Sequence, residues 1–145
     1  MSKRLNNKKG FTLIELLVVI AIIGILSSVV LASLNTARNK GNNAKIKAQL
    51  SGARAAAEVF YDNGGQSYTG LCTLGSAASI AAGFDPYNTP ANYPGTPSIA
   101  CFTSASAYAM SVPLSSVEGT FNHWCIDSKG NSKGEAAAVA TTVCS

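Results

Sequence analysis

The side chains best suited to chemistry are few and widely scattered in this sequence. There is a single histidine, His123, and the seven acidic residues form no cluster. Serine and threonine are abundant, but none has an evident base partner to activate it as a nucleophile. No glycine-rich phosphate-binding loop is present. The sequence therefore argues against an enzyme and indicates no cofactor.

The four cysteines are the clearest chemical signal: Cys72, Cys101, Cys125 and Cys144. An even number in a small, loop-rich region after an apolar segment is typical of two disulfides in an oxidising compartment. A zinc site is the alternative, but no CxxC pair exists, so we expect no metal. Three connectivities are possible. We favour Cys72–Cys101, which closes the loop after the long helix, and Cys125–Cys144, which ties the C terminus to a strand.

Glu15 stands out among the acids because of its surroundings. It is the only charged residue from Phe11 to Leu34, a run in which 16 of 24 residues are Leu, Ile, Val or Phe. A helix of about 20 apolar residues spans a bilayer, and a secretory signal peptide is typically shorter, with about 7–15. A central carboxylate costs about 2.5–3.5 kcal/mol on insertion. A carboxylate that is retained in an apolar segment despite this cost indicates a functional role.

The element that carries Glu15 is predicted to be a long helix. We predict a transmembrane helix over 11–34 and an amphipathic extension over 35–61, although the stretch Asn35–Asn43 is a weak helix former. Asp62–Gly65 should end the helix. The extension carries one apolar stripe at spacings of 4, 3, 4 and 3, formed by Ile46, Leu50, Ala53, Ala57 and Phe60.

Residues 62–145 are expected to form a small globular, disulfide-bearing head. Ser76–Ala82 suits a short helix and Asp85–Pro97 a loop. Three strand-like runs predict an antiparallel meander, with Pro113 at an edge or a bulge. These runs are Tyr108–Leu114, Thr120–Asp127 and Ser132–Val139. The fold class is therefore α+β, a long N-terminal helix packed on a small antiparallel sheet.

The charge is unevenly distributed along the chain. Residues 1–10 carry four bases and no acid, residues 38–54 carry five bases and no acid, and residues 58–145 sum to −4. The net charge of +4 thus belongs to the first ten residues, and direct nucleic-acid binding by the head is not expected. The basic stretch could meet the acidic heads of neighbouring molecules or form a solvated helix face.

Residues 8–15, KKGFTLIE, closely resemble the class III signal sequence of type IV pilins and of their relatives, the type II secretion pseudopilins. Residues 124–130, WCIDSKG, also resemble a segment of some bacterial pilin heads. The resemblance implies a pilin-like fold. It also implies that prepilin peptidase cleaves between Gly10 and Phe11, removes the leader 1–10 and N-methylates Phe11.

The same resemblance implies a role for Glu15 in assembly. In a filament, its carboxylate would sit near the Phe11 amine of an adjoining subunit and set the register of polymerisation. The alternative is that Glu15 only caps its own helix. Many relatives carry a proline near the position of Ala32 that melts the helix in the filament. This chain has none, so Gly24–Ser28 is where such melting would be expected.

These expectations describe a structural subunit of a type IV pilus. Its partners would be other copies of itself and related pilins, prepilin peptidase, the inner-membrane assembly machinery and the lipid bilayer. It would be a single-pass cytoplasmic-membrane protein before assembly and an extracellular filament afterwards. A pseudopilin is one alternative, although Asp127 and Glu135 are too isolated for its acidic calcium loop. A membrane-anchored adhesion protein that never polymerises is another. The sequence leaves adhesion, twitching motility, DNA uptake and secretion open as the task of the filament.

Overall fold

The computed structural model describes residues 10–145, so most of the leader, including Lys8 and Lys9, lies outside the described residues. The chain divides into an N-terminal unit that ends at Ala37 and a larger unit, Arg38–Ser145. All buried residues of the described chain belong to the larger unit. This whole unit is called the head below, so the term now includes residues 38–61 in addition to the head predicted from the sequence, 62–145.

The predicted long helix is confirmed as α1, Leu13–Asn63. It passes without a break through the polar stretch 35–43 and through Gly24–Ser28. It ends where Gly64 N donates to Phe60 O at 2.8 Å and Gln66 N donates to Tyr61 O at 2.9 Å. Gly64 and Gly65 follow, and Gly65 has a positive φ of 73° that glycine adopts without strain.

The predicted antiparallel meander is confirmed, with one strand more than the sequence indicated. The four strands pair in chain order, and every pair is antiparallel. They are β1 (Ala100–Thr103), β2 (Tyr108–Glu118), β3 (Phe121–Asp127) and β4 (Ser132–Glu135). The first of them was not predicted, and the last stops four residues short of the predicted end at Val139. The register of β2 on β3 shifts between Pro113 and Glu118, which confirms the predicted bulge.

The connection between α1 and the sheet is more ordered than a plain loop. A short helix, α2 (Ala77–Ala81), is capped by Ser76, whose hydroxyl accepts from Ser79 N at 3.1 Å. The segment expected to be entirely loop contains two 3₁₀ turns, Asp85–Tyr87 and Pro90–Asn92. Proline occupies the first turn of each, where its missing N–H leaves no helical hydrogen bond unmade.

Both faces of the sheet are covered, which follows from the two-residue period of a strand. Tyr108, Met110 and Val112 of β2 join one core with the buried stripe of α1. The intervening Ala109 packs on the other face with Cys125 and with Val139 and Cys144, which belong to the C-terminal segment, residues 136–145. The predicted apolar stripe of α1 is confirmed, since all of its members are buried: Ile46, Leu50, Ala53, Ala57 and Phe60.

Candidate functional site

The start of α1 places Thr12 and Glu15 in mutual contact. Thr12 donates to Glu15 Oε2 from its backbone N at 2.8 Å and from its hydroxyl at 2.7 Å. Glu15 N donates back to Thr12 Oγ1 at 3.2 Å. This reciprocal arrangement is a capping box, in which N-terminal N–H groups of a helix are satisfied by side chains. In the single chain, therefore, Glu15 occupies the capping arrangement, and Thr12 is a site residue that the sequence reasoning overlooked.

The residues beside this cap are fully accessible. Gly10 and Phe11 precede α1, have no regular secondary structure and are exposed. A Cβ built on Gly10 would meet no atom within 4 Å. A peptide bond in an irregular, exposed segment can enter a protease cleft without unfolding of its surroundings.

The first half of α1 forms a continuous apolar surface that nothing covers within residues 10–145. Its best 18-residue window has a mean hydropathy of 2.8, and none of that window is buried. Phe11 is 87% exposed and Leu31 67% exposed. Exposed apolar surface on this scale marks a segment that lies in lipid or against other proteins. By length and composition, α1 is the one helix of the described residues that could cross a membrane.

Asn43 is a second residue that the sequence reasoning missed, since it read as part of a polar linker. It is fully buried, and its side-chain oxygen accepts from Ser115 N at 2.8 Å and from Ser116 N at 3.4 Å. Its amide nitrogen donates to Ser116 O and to Glu118 Oε1, each at 2.9 Å. Asn43 thus completes the backbone hydrogen bonds that β2 loses at its bulge.

The basic stretch of α1 is only partly available to other molecules. Lys47 Nζ lies 2.5 Å from Glu118 Oε2 and 4.4 Å from the centre of the Trp124 ring. Arg54 donates to the carbonyl oxygen of Asn131. The hydrogen bonds from Lys47, then from Asn43, hold the pKa of Glu118 below its ordinary value. Lys47 and Arg54 therefore bond within their own head. The expectation that the basic stretch meets neighbouring heads can then apply only to its other three bases, Arg38, Lys40 and Lys45.

The four cysteines form two bonded pairs in the structure. Cys72 is joined to Cys101 with Cα atoms 5.8 Å apart, and Cys125 to Cys144 with Cα atoms 5.9 Å apart. The first pair links the segment after α1 to β1, and the second links β3 to the C-terminal segment. Cys125 and Cys144 also lie near Glu135, but as disulfide sulfurs they offer no thiolate to a metal.

Asp127, which looked isolated in the sequence, is a buried centre of hydrogen bonding. Its carboxylate accepts from Lys129 N at 3.0 Å, from Asn131 N at 2.9 Å, from the Asn131 amide at 2.7 Å and from Cys144 N at 3.0 Å. Burial raises the pKa of Asp127, but these hydrogen bonds outweigh it, and the net pKa lies below its ordinary value. One carboxylate thus fixes both the β3–β4 turn and the C-terminal segment.

His123 and Trp124 lie in β3, where the sequence placed them. His123 pairs with Pro113 and Glu135 across the sheet, and burial lowers its pKa. Trp124 packs at the edge of the helix core and donates from Nε1 to Ser132 Oγ at 3.2 Å. Trp124 is therefore a packing residue, and His123 is a half-buried strand residue.

Comparisons with known proteins find matches for the N-terminal segment and for most of the chain. A family model described as the prokaryotic N-terminal methylation motif matches residues 5–31. The chain is 43% identical over 107 residues to the type IV wide pilus major component PilA4 of Thermus thermophilus, and the match covers 73% of each chain. Two Moraxella bovis proteins, the type IV major alpha-pilin and fimbrial protein Q, are each 39% identical over 55 residues, 38% of this chain and 35% of theirs. No solved structure matches the chain significantly.

Proposed function

This chain belongs to the type IV pilin family and is a structural subunit of a pilus, and we propose that it enters the filament by cleavage between Gly10 and Phe11, N-methylation of Phe11 and polymerisation through the first half of α1. The apolar helix anchors the subunit in a membrane, and copies of the subunit assemble with one another. The alternative of an anchored protein that never polymerises is set aside by this membership.

Cleavage at Gly10–Phe11 is supported by the match of residues 5–31 to the methylation motif and by the exposure of both residues. Gly10 presents no side chain to the protease, so the protease can approach the scissile backbone closely. The new amine on Phe11 would carry a positive charge two residues before Leu13, the first residue of α1. Prepilin peptidase would perform both steps at the membrane.

The observation that carries the proposal is the lone carboxylate of Glu15 on an uncovered apolar helix. In a bundle of such helices, Glu15 and the Phe11 amine would both be removed from water. Pairing them across two subunits offsets part of that cost, whereas either charge alone would be left uncompensated. Glu15 would exchange its bond to Thr12 for the neighbour's amine and thereby set the register.

Each stage of this sequence of events implies a compartment and a partner. The subunit would wait in the cytoplasmic membrane with its head on the outer side, where an oxidising environment permits both disulfides. The inner-membrane assembly machinery would then move subunits from lipid into an extracellular filament. The bilayer is thus a temporary partner that other copies of α1 replace.

Two variants separate charge pairing from helix capping. Glu15→Gln keeps the cap, because glutamine also completes a capping box, but it removes the charge. Thr12→Val removes the hydroxyl of the cap and keeps the charge. If Glu15 pairs with the Phe11 amine, Glu15→Gln lowers sheared filaments about tenfold or more, while Thr12→Val has a small effect.

Both variants are measured in the native cell against the membrane-bound pool, with mass spectrometry of the N terminus to verify cleavage and methylation. If the pairing exists, the Glu15→Gln subunit should begin at methylated Phe11 and should accumulate in the membrane. Normal filaments from Glu15→Gln would refute the pairing. A surface filament whose subunits still begin at Met1 would refute the processing step.

A further inference from the structure

We infer a second contact between copies of this chain, in which Arg38 and Lys45 of one subunit meet Glu58 and Asp62 of its neighbour. The inference rests on the proposed filament and adds an electrostatic register on the head half of α1, distinct from Glu15. It follows from which charges the head leaves unused, which helix faces they occupy and how far apart they lie.

The head consumes most of its own acidic groups. Glu118 and Asp127 are bonded as described above, and Asp85 accepts from Gly75 N at 2.9 Å and from the Ser79 hydroxyl. Glu135 is half-buried beside Lys133, with 3.9 Å between the charged atoms. Of the six acids after residue 57, only Glu58 and Asp62 are exposed, and both lie on the last turns of α1.

The exposed bases of α1 that form no ion pair lie at the beginning of its head portion, which starts at Arg38. Lys47 and Arg54 are engaged within the head, whereas Arg38, Lys40 and Lys45 are exposed and form no ion pair within residues 10–145. The accessible charges of this part of α1 are therefore positive at its beginning and negative at its end.

Helical geometry places these charges on two separate faces. Arg38 and Lys45 are seven residues apart and share one face, and Glu58 and Asp62 are four residues apart and share another. At 3.6 residues per turn, the two faces are about 130° apart, and both avoid the buried side of the helix. The exposed side chains beside the acidic face and between the two faces are mostly small and permit close approach of a second helix, with Val59 as the larger exception; the small ones are Ala44, Ala48, Ser51 and Ala55.

The spacing along the axis selects one offset between copies. Arg38 and Glu58 are 20 residues apart, or about 30 Å, and Lys45 and Asp62 are 17 residues apart, or about 26 Å. A neighbouring parallel helix shifted by about 28 Å brings both opposite-charge pairs to the same level. One offset thus satisfies two independent pairs.

The separation of the two faces also determines the type of assembly. A two-fold dimer would require both patches of one copy to face the same partner, which faces about 130° apart do not allow. Each copy instead offers its basic face to one neighbour and its acidic face to another. Such a head-to-tail contact repeats without closing and generates an open helical filament.

Glu58 is held ready for this contact by its own head. The Tyr68 hydroxyl donates to its two carboxylate oxygens at 3.0 and 3.1 Å, while the carboxylate stays exposed. A carboxylate fixed in this way loses less side-chain entropy when a guanidinium arrives than a freely rotating one would.

Charge reversal in the full-length protein, expressed in the native cell, tests the contact. Arg38→Glu and Glu58→Arg are made singly and together, and Lys45→Glu with Asp62→Lys forms a second set. Each single reversal should lower sheared filaments about fivefold relative to the membrane pool, and each double reversal should restore them to within about twofold. Lys40→Glu is the matched control: Lys40 lies about 160° around the helix from Arg38 and, although it shares the face of Glu58, it lies about 27 Å before Glu58 along the axis, where the proposed offset brings no charged partner to its level on that face.

Each outcome decides the matter. Rescue in both doubles and a neutral Lys40→Glu support the contact. Loss of filaments in the base reversals without rescue by the acid reversals overturns it and points to anionic lipid as the partner of Arg38 and Lys45. Neutral single reversals also overturn it. Glu15→Gln, tested in parallel, distinguishes this contact from the proposed pairing of Glu15 with the Phe11 amine. If Glu15→Gln abolishes filaments while the charge reversals do not, only the contact inferred here is refuted.

Discussion

At the scale of single residues, Asp127 shows how much one side chain can organise. It is fully buried, and all four of its hydrogen bonds come from N–H groups of the β3–β4 turn and the C-terminal segment. A charged acceptor strengthens each of these bonds, and its removal would leave buried donors without partners. The sequence could not reveal this, because the partner Cys144 lies 17 residues away.

Asp127→Asn should lower the free energy of unfolding of the head by about 1–3 kcal/mol near neutral pH, because an amide cannot accept from all four donors. The wild-type head should also lose stability in acid. The pKa of Asp127 is lowered on folding, so its stabilisation is fully present above the ordinary value of about 3.9 and is lost as the pH falls through the lower folded value. Urea unfolding followed by circular dichroism at a series of pH values measures both effects.

Asp62→Asn serves as the control for this prediction, because Asp62 is exposed and should change stability by less than about 0.5 kcal/mol. Some acid sensitivity should persist in Asp127→Asn, since the pKa of Glu118 is lowered as well. A variant as stable as the wild type, with an unchanged acid limb, would contradict the role given to Asp127.

Two elements illustrate what sequence patterns reveal about this fold. The apolar stripe of α1 could be predicted because helical periodicity is a local property of the chain. In contrast, β1 was missed, since its four residues, ACFT, follow a Pro- and Gly-rich segment and have no clear alternation. Its strand conformation depends on pairing with β2, where Cys101 lies opposite Met110. Short strands formed by long-range pairing leave little local signal.

The candidate functional site shows the same difference between local features, which the sequence reveals, and long-range contacts, which it does not. The motif at residues 8–15 and the lone charge of Glu15 are local and were recognisable in the sequence. The anchoring of Asn43 to β2 was not, because its partners lie more than 70 residues away. The pairing of Glu15 with a neighbour's amine stays a prediction, since it concerns atoms of two molecules.

The C-terminal segment and its disulfide supply the prediction at the scale of elements. Besides Cys125–Cys144, this segment is held by Val139 N donating to Ser111 Oγ at 2.9 Å. Replacing both cysteines by serine should lower the free energy of unfolding by about 3 kcal/mol through the lost loop constraint. Amide exchange should quicken at Val139 and at position 144 far more than along the buried stripe of α1.

Non-reducing peptide mapping and hydrogen exchange check this prediction, with the Cys72→Ser/Cys101→Ser variant as the comparison. That variant should cost a similar amount, but it should quicken exchange in the α1–β1 connection instead of the C-terminal segment. A map showing any other pairing would contradict the connectivity. Equal loss of protection across the whole head in both variants would contradict the local role of each bond.

At the scale of the whole molecule, the two units separate the buried core from the uncovered apolar helix. Every buried residue of the described chain lies in the head, and both disulfides do as well. The described residues of the N-terminal unit are all exposed. The head therefore holds the core that a small domain needs, whereas the first unit offers apolar surface that only lipid or other subunits can cover.

A protein that begins at Arg38 should accordingly fold as a soluble monomer, because it keeps the whole buried core. It should retain both disulfides and a thermal unfolding midpoint within about 5 °C of that of the full-length subunit in detergent. It should form no filaments, since it lacks Phe11, Glu15 and the apolar helix. Detergent-free size exclusion and calorimetry measure these properties. An aggregated or unfolded product would show that the head depends on the apolar helix for its fold, and stability and assembly would then share one element.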